Sequence, residues 1–266
     1  MLFVRTYGSS GPAVIVLHGG PGAAGHMAPV ARGLADAYRI TEPFQRGSGG
    51  ERLTVARHVA DLHEVIAACS NDRPALLGAS WGAMLALAYA AAHPSSTGPL
   101  VLVGCGTFDP VARAAMQNTI AERMSGEIGA MLKSANDLDP NERLKASAEA
   151  TTPIYCYDPL ASPQEEDTID ARASKETWDD MLRLQTEGVY PAAFAAIKVP
   201  VLMVHGTFDP HPGRLVMQSL QPFLPQLDYR ELERCGHYPW LEKAAAEAFF
   251  SLVRAWLGRH VERPSP

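Results

Sequence analysis

"LLGASWGAMLALAYAAAHP", residues 76–94, joins two kinds of apolar pattern at a single serine. Before the serine stands a short run of strand length; after it an Ala/Leu-rich run continues for the length of a helix. Between them lies Gly78-x-Ser80-x-Gly82. A serine held on so tight a strand-to-helix turn needs small residues two before and two after it, and here both are glycine. A helix starting at Trp81 also aims its N-terminal dipole at Ser80, which favours negative charge there. Ser80 is the candidate nucleophile.

Working outward, β-branched or Leu-rich runs bounded by Gly or Pro alternate with helical patterns. The runs are "LFVRTY" (2–7), "AVIVLH" (13–18), "YRITEPF" (38–44), "ALLGAS" (75–80), "PLVLVGC" (99–105), "PVLMVHG" (200–206) and "LDYRELE" (227–233). Helical segments are expected near 25–37, 56–69, 81–93, 213–221 and 242–260. This alternation predicts an α/β fold, a mostly parallel sheet of seven or eight strands with helices on both faces. Strand signal vanishes over 107–196, where "PVARAAMQNTIAERMSGEIGAMLKSA" (110–135) and "KETWDDMLRLQTEG" (175–188) have helical spacing. The expected division is a core of residues 1–106 and 197–266 with a helical cap, 107–196, inserted in it. "YDPLASPQEED" (157–167) is expected to be a solvated loop within the cap.

The chain has 266 residues, 47% of them hydrophobic, enough for a sizeable core and a globular enzyme. With 23 Lys+Arg against 29 Asp+Glu the net charge is −6, and no basic cluster points to a nucleic-acid partner. No apolar stretch approaches the roughly 18 residues of a membrane span, and the start of the chain does not read as a signal peptide. Cys69, Cys105, Cys156 and Cys235 lie far apart with no CxxC, so neither a zinc site nor a disulfide framework is indicated. A soluble, cytoplasmic protein is expected, acting on a small molecule or short peptide. Oligomeric state is not legible.

A serine nucleophile needs a base, and the base needs a carboxylate to hold its tautomer. Among nine histidines, His237 stands out in "RCGHYPWLEKAAAEAFF", on a short loop after the last strand and behind Gly236. Beside a carboxylate it is expected to titrate somewhat above its ordinary value. His18 and His205 end strands next to glycine and read as turn residues. The pentapeptide "GTFDP" occurs at 106–110 and again at 206–210, offering two acids. Asp109 precedes a proline and a long helical pattern, so it reads as an N-cap. Asp209 is followed by Pro210 and Pro212, which delay the helix and leave a loop that can turn a carboxylate sideways; it also lies on the strand before the one delivering His237. Asp209 is the expected acid and Asp109 the alternative. In "HGGPG" (18–22) the glycines let backbone N–H groups approach an oxyanion, with the Gly20 and Trp81 N–H groups as the expected pair. GxxxxGK[ST] is absent, and nucleotide binding is not expected.

With "HGGPG", "QRGSG" (45–49), "GASWGAMLALAYA" (78–90), "HGTFDP" (205–210) and "GHYPWLE" (236–242), the chain resembles α/β-hydrolase-fold serine hydrolases, and among them the proline iminopeptidase group. The resemblance covers the whole core. It implies eight strands, a helical cap inserted after the sixth, a Ser80–His237–Asp209 triad, and no metal or organic cofactor. One strand precedes "AVIVLH" where the group has two, which gives seven. Phe44 stands before the QRG where the group has Asp. The group's Trp-Glu pair, whose carboxylate helps bind the substrate's free amine, is matched most nearly by Trp178-Asp179, so Asp179 and Glu187 are the candidate amine-binding residues. Three functions follow as expectations: an aminopeptidase removing N-terminal proline, an esterase or lactonase acting on a small neutral metabolite, and a noncatalytic binding protein on the same fold.

Overall fold

The computed structural model describes residues 2–69, 73–160 and 168–261. In chain order its strands are β1 (Val4–Tyr7), β2 (Ala13–Leu17), β3 (Ala23–Ala24), β4 (Arg39–Pro43), β5 (Ala75–Ala79), β6 (Leu100–Val103), β7 (Thr168–Ile169), β8 (Val201–Gly206) and β9 (Leu227–Leu232). Its helices are α1 (Ala28–Leu34), α2 (Val55–Cys69), α3 (Trp81–Ala92), α4 (Pro110–Arg123), α5 (Gly126–Ser134), α6 (Pro140–Tyr155), α7 (Ala171–Thr186), α8 (Gly213–Leu220) and α9 (Ala246–His260).

Seven strands form one sheet in the order β1-β4-β2-β5-β6-β8-β9. Only β1 runs against its neighbour, pairing Val4 with Pro43 through Tyr7 with Ile40; the other pairings are parallel. The seven runs read from the sequence are these seven strands. Strands β5, β6 and β8 are buried throughout, which is why they read as unbroken apolar runs: helices cover both of their faces. Alternate side chains serve the two faces. Ile15, Leu17, Leu100, Leu102, Val201 and Met203 pack with α2, α3 and α8. Val14, Val16, Val101, Val103, Leu202 and Val204 pack with α1 and α9. Helix α3 is apolar all round, ten of its twelve residues being buried, as a helix enclosed on every side must be.

Between β6 and β8 the chain leaves the sheet to form α4–α7. Each of these helices is started by a side-chain cap: Asp109, Ser125, Asp139 and Asp170 accept from the first free N–H groups. The continuous helical pattern expected over 110–135 is broken into two helices at Met124–Ser125, where the backbone turns extended and Ser125 caps the second. The insertion also contains a strand, contrary to the sequence reading. Thr168 and Ile169 pair antiparallel with Ala24 and Ala23 of the loop after β2. Two residues are too few to show a period. Of the expected loop 157–167, residues 157–160 are described, Pro159 bridging to Glu242, and 161–167 lie outside the described residues. Among the described residues no helix is long and apolar enough to cross a membrane.

Candidate active site

Strands β2, β5, β6, β8 and β9 all deliver their next residues to the carboxyl edge of the sheet, the edge where parallel α/β folds place their sites. Ser80 follows β5 at once, with φ 53 and ψ −117, a conformation that costs a non-glycine residue on the order of 1–3 kcal/mol. The glycines on either side of it are required by contact. A Cβ on Gly78 would stand 2.2 Å from Gly82 O, and one on Gly82 2.2 Å from Leu17 O. The elbow is held to the next strand by Ser80 N–H donating to Val103 O at 2.8 Å. The Ser80 side chain makes no capping bond to the first N–H groups of α3, whose Ala83 N–H donates instead to Ser80 O at 3.0 Å.

His237 is 3% exposed. Its Nδ1–H donates to both oxygens of Asp209, at 2.9 Å each, so the lone pair is on Nε2. The ring rests on Gly104, the residue after the Val103 that binds Ser80 N–H. The backbone N–H of His237 donates to Tyr155 O at 2.7 Å. Tyr155 and Tyr238 meet the ring edge-on, at 5.5 and 4.8 Å between centroids, and His211 stacks on it at 4.6 Å. Burial pushes the imidazole below its ordinary value, opposed by the charge and hydrogen bond of Asp209. This corrects the sequence-based expectation of a raised value: a group so enclosed loses more by desolvation than one carboxylate returns.

Asp209 is buried and also accepts from the His211 backbone N–H at 2.9 Å and from His211 Nδ1–H at 3.2 Å. Burial alone would raise its carboxyl; the His237 charge and the hydrogen bonds of the neighbouring histidines outweigh it and hold it well below the usual carboxylate range. His205 lies inside β8 rather than in a turn. Its ring is 1% exposed, with Nδ1 3.4 Å from Asp209 Oδ2, and neither ring nitrogen makes a hydrogen bond. Asp109, the other copy, is a helix cap as expected, Oδ1 accepting from Val111 and Ala112 N–H at 2.9 and 3.0 Å.

A network of side chains fixes the HGGPG loop beside Ser80. His18, expected to serve only a turn, donates Nδ1–H to Gly19 O at 3.0 Å, and its Nε2 accepts Gln45 N–H at 3.1 Å. The carbonyl of Gly19 and the N–H of Gly20 belong to one planar peptide, so this bond sets the direction of the Gly20 N–H. Gly19 N–H donates to His26 Nε2 at 3.2 Å, and Trp81 Nε1–H to Gln45 Oε1 at 2.7 Å. Burial lowers His18 to about 3 and His26 to about 4, which keeps both neutral. His18 and Gln45 belong to motifs that the sequence displays; His26 and His211 carried no local signal.

A cavity of about 370 Å³ lies between these loops and the insertion, walled in part by His18, Gln45, Asp139, Asn141, Asp170 and Arg172. Ser80, His237 and Asp209 are not in its wall; what the cavity shares with the site is His18 and Gln45, which hold the HGGPG loop. Asp179 and Glu187 are elsewhere. Asp179 pairs with Arg52 at 3.0 Å and Lys175 at 2.8 Å, Glu187 pairs with Arg183, and neither lines the cavity. Among the described residues the ligand atoms of Asp209, His211 and His237 lie within 4.8 Å of one another, a spacing open to a metal ion. Their hydrogen bonds already account for that closeness.

Residues 14–251 match the model of the alpha/beta hydrolase family. The proline iminopeptidase of Neisseria gonorrhoeae is 30% identical over 211 residues, which cover 73% of this chain and 63% of that protein; for the one from Xylella fastidiosa (strain 9a5c) the match is 39% and covers 32% of its length. The proline iminopeptidase of Lactobacillus helveticus (strain DPC 4571) is 26% identical, with 96% of this chain and 92% of that one covered. Among solved structures, VinJ superposes with a TM-score of 0.70 at 21% identity, covering 97% of this chain and 95% of its own. The proline iminopeptidase of Mycobacterium smegmatis gives 0.65 at 22%, covering 97% and 94%. At such identities the two structures speak for the fold alone. With the elbow, the sheet order and the family match in agreement, the chain belongs to the alpha/beta hydrolase family and resembles proline iminopeptidases.

Proposed function

We propose that this chain is a serine hydrolase working through an acyl-enzyme, with Ser80 as nucleophile, His237 as general base and then acid, and Asp209 holding the imidazole tautomer. The observation that carries the reading is the strained Ser80 turn beside a buried histidine whose Nδ1–H is committed to a carboxylate. Ser80 Oγ attacks the acyl carbon, its proton passes to His237 Nε2 and then to the leaving group, and water reverses the sequence to release the acid. The Gly20 and Trp81 N–H groups receive the oxyanion. Each such donor is worth about 2.7–4 kcal/mol in the transition state.

For the substrate we propose an N-terminal prolyl residue, a reading supported by the similarity to proline iminopeptidases. Recognition of the free amine by Asp179 or Glu187 is the weaker part of it, since both carboxylates are already paired with cations. That pairing favours a second reading, an esterase or lactonase for a small neutral metabolite. Release from a proline arylamide, its N-acetylated form and a p-nitrophenyl acyl ester separates the two. Turnover of the free arylamide and not of the blocked one supports the aminopeptidase; turnover of the ester alone supports the second reading. If a fluorophosphonate fails to label Ser80, both give way to a noncatalytic binding protein.

A further inference from the structure

Asp209 carries more hydrogen bonds than a carboxylate serving one histidine needs. Oxygen Oδ1 alone accepts three, from His237 Nδ1–H at 2.9 Å, His211 N–H at 2.9 Å and His211 Nδ1–H at 3.2 Å. The His211 ring lies over the His237 ring, 4.6 Å between centroids and 23° between planes, so the two imidazoles face each other while donating to one oxygen. Pro210 and Pro212 flank His211 and, with α8 delayed to Gly213, hold it in this loop. His237 is sealed, but the His211 side chain keeps 12% of its surface exposed to solvent.

We propose that His211 is a positioning residue that shares Asp209 with His237 and limits how strongly the carboxylate holds the imidazolium formed during the reaction. The inference rests on the reading of His237 as the base and Asp209 as its partner. A carboxylate oxygen divided among three donors gives less to each, and a second imidazole stacked above disfavours positive charge on the first. His211 therefore works against Asp209, keeping His237 neutral, and able to accept the serine proton, to lower pH. Among the described residues, the other titratable groups facing this stack are Tyr155 of α6, tilted against His211 at 6.1 Å, Tyr238, edge-on to His237 at 4.8 Å, His205, with Nδ1 3.4 Å from Asp209 Oδ2, and His26, which feels the charge of His237. Arg123 of α4 adds a cation near Asp209 and is the same in every variant below.

The test is the titration of His237 itself, followed by its long-range ¹H–¹⁵N correlations in the intact protein, in wild type, His211→Gln and His211→Phe. Glutamine keeps a donor; phenylalanine keeps a ring and removes the donor. The expected order of His237 midpoints is wild type, then Gln, then Phe, with Phe higher than wild type by about half a unit or more. The acid limb of kcat/KM for any ester or amide that is turned over should move by the same amount. Midpoints that coincide in all three proteins, with thermal melts showing each folded, would overturn the proposal. Fluorophosphonate labelling of wild type reports separately on the serine-hydrolase reading: the midpoint order stands or falls without it.

Discussion

Gly104 forms the seat of the His237 ring. A Cβ on this glycine would stand 2.8 Å from both Cε1 and Nδ1 of the imidazole and 3.1 Å from the His237 carbonyl oxygen. Its φ of +54 adds a second reason for glycine. Gly104→Ala is expected to push the ring off its seat and away from Ser80. A displacement of about 1 Å at a reacting group costs on the order of 10²-fold in rate, and both kcat and the rate of fluorophosphonate labelling should fall by about that factor. Wild-type rates in a folded Gly104→Ala protein would mean that the base does not rest here.

Stability is expected to fall on the acid side well before the carboxylates titrate. Burial lowers His58 to about 4, as it lowers His18 and His26. In the unfolded chain each titrates near 6.5. Below that pH the unfolded state takes up protons that the native state refuses, so native stability is intact above about 6.5 and lost as pH falls toward 4, by about 1.4 kcal/mol per pH unit for each proton. His58 joins α2 to α7 through Nε2 and Thr177 Oγ1 at 2.9 Å, away from Ser80. Denaturant unfolding from pH 7 to pH 4 should show the slope reduced by one proton in His58→Gln. An unchanged slope would place the histidine's titration outside the folding equilibrium.

What the sequence shows and what it hides divide along physical lines. Strands β5, β6 and β8 are legible because they are covered on both faces and must be apolar at every position. The elbow is legible because the contacts at Gly78 and Gly82 leave no room for any other residue. The two aspartates are told apart by local chemistry, one proline after Asp109 starting a helix and two prolines after Asp209 postponing one. Helix α6 is illegible: only Ala150 and Ile154 are buried, and Thr151, Thr152 and Pro153 argue against a helix that capping by Asp139 and packing on α5 produce. The burial of His237, which reverses the expected direction of its shift, comes from Tyr155 of the insertion and His211 of another loop, and no window of sequence contains all three.

The repeated pentapeptide makes opposite predictions for its two aspartates. Asp209→Asn should leave the fold intact and lower kcat by on the order of 10⁴, because an amide facing Nδ1 stabilises the wrong histidine tautomer. Asp109→Asn should be nearly silent, since asparagine caps a helix about as well as aspartate, and Asp109→Ala should cost about 1 kcal/mol of stability with little effect on rate. Steady-state kinetics beside thermal melts of the three variants decide the matter. An inactive Asp109→Asn with a near-normal Asp209→Asn would exchange the two roles.

Glu242, five residues beyond His237, is fully buried, and its partners are backbone. Oxygen Oε1 accepts from Gly236 N–H at 2.8 Å and Tyr157 N–H at 2.7 Å, and Oε2 from Asp158 N–H at 2.7 Å. One carboxylate thus ties the loop that carries His237 to the segment leaving α6, which itself accepts the His237 N–H through Tyr155 O. Glu242→Ala would leave three N–H groups without an acceptor, each costing about 1–3 kcal/mol when buried. Glu242→Gln keeps one oxygen and turns an NH₂ toward the remaining donor, so it should fall between wild type and alanine in melting temperature. If the carboxylate also registers the histidine, kcat should fall in the same order while KM changes little, because what is lost is the alignment of the base and not a contact with substrate. A Glu242→Gln protein with lowered melting temperature and an undiminished kcat would confine Glu242 to joining insertion and core.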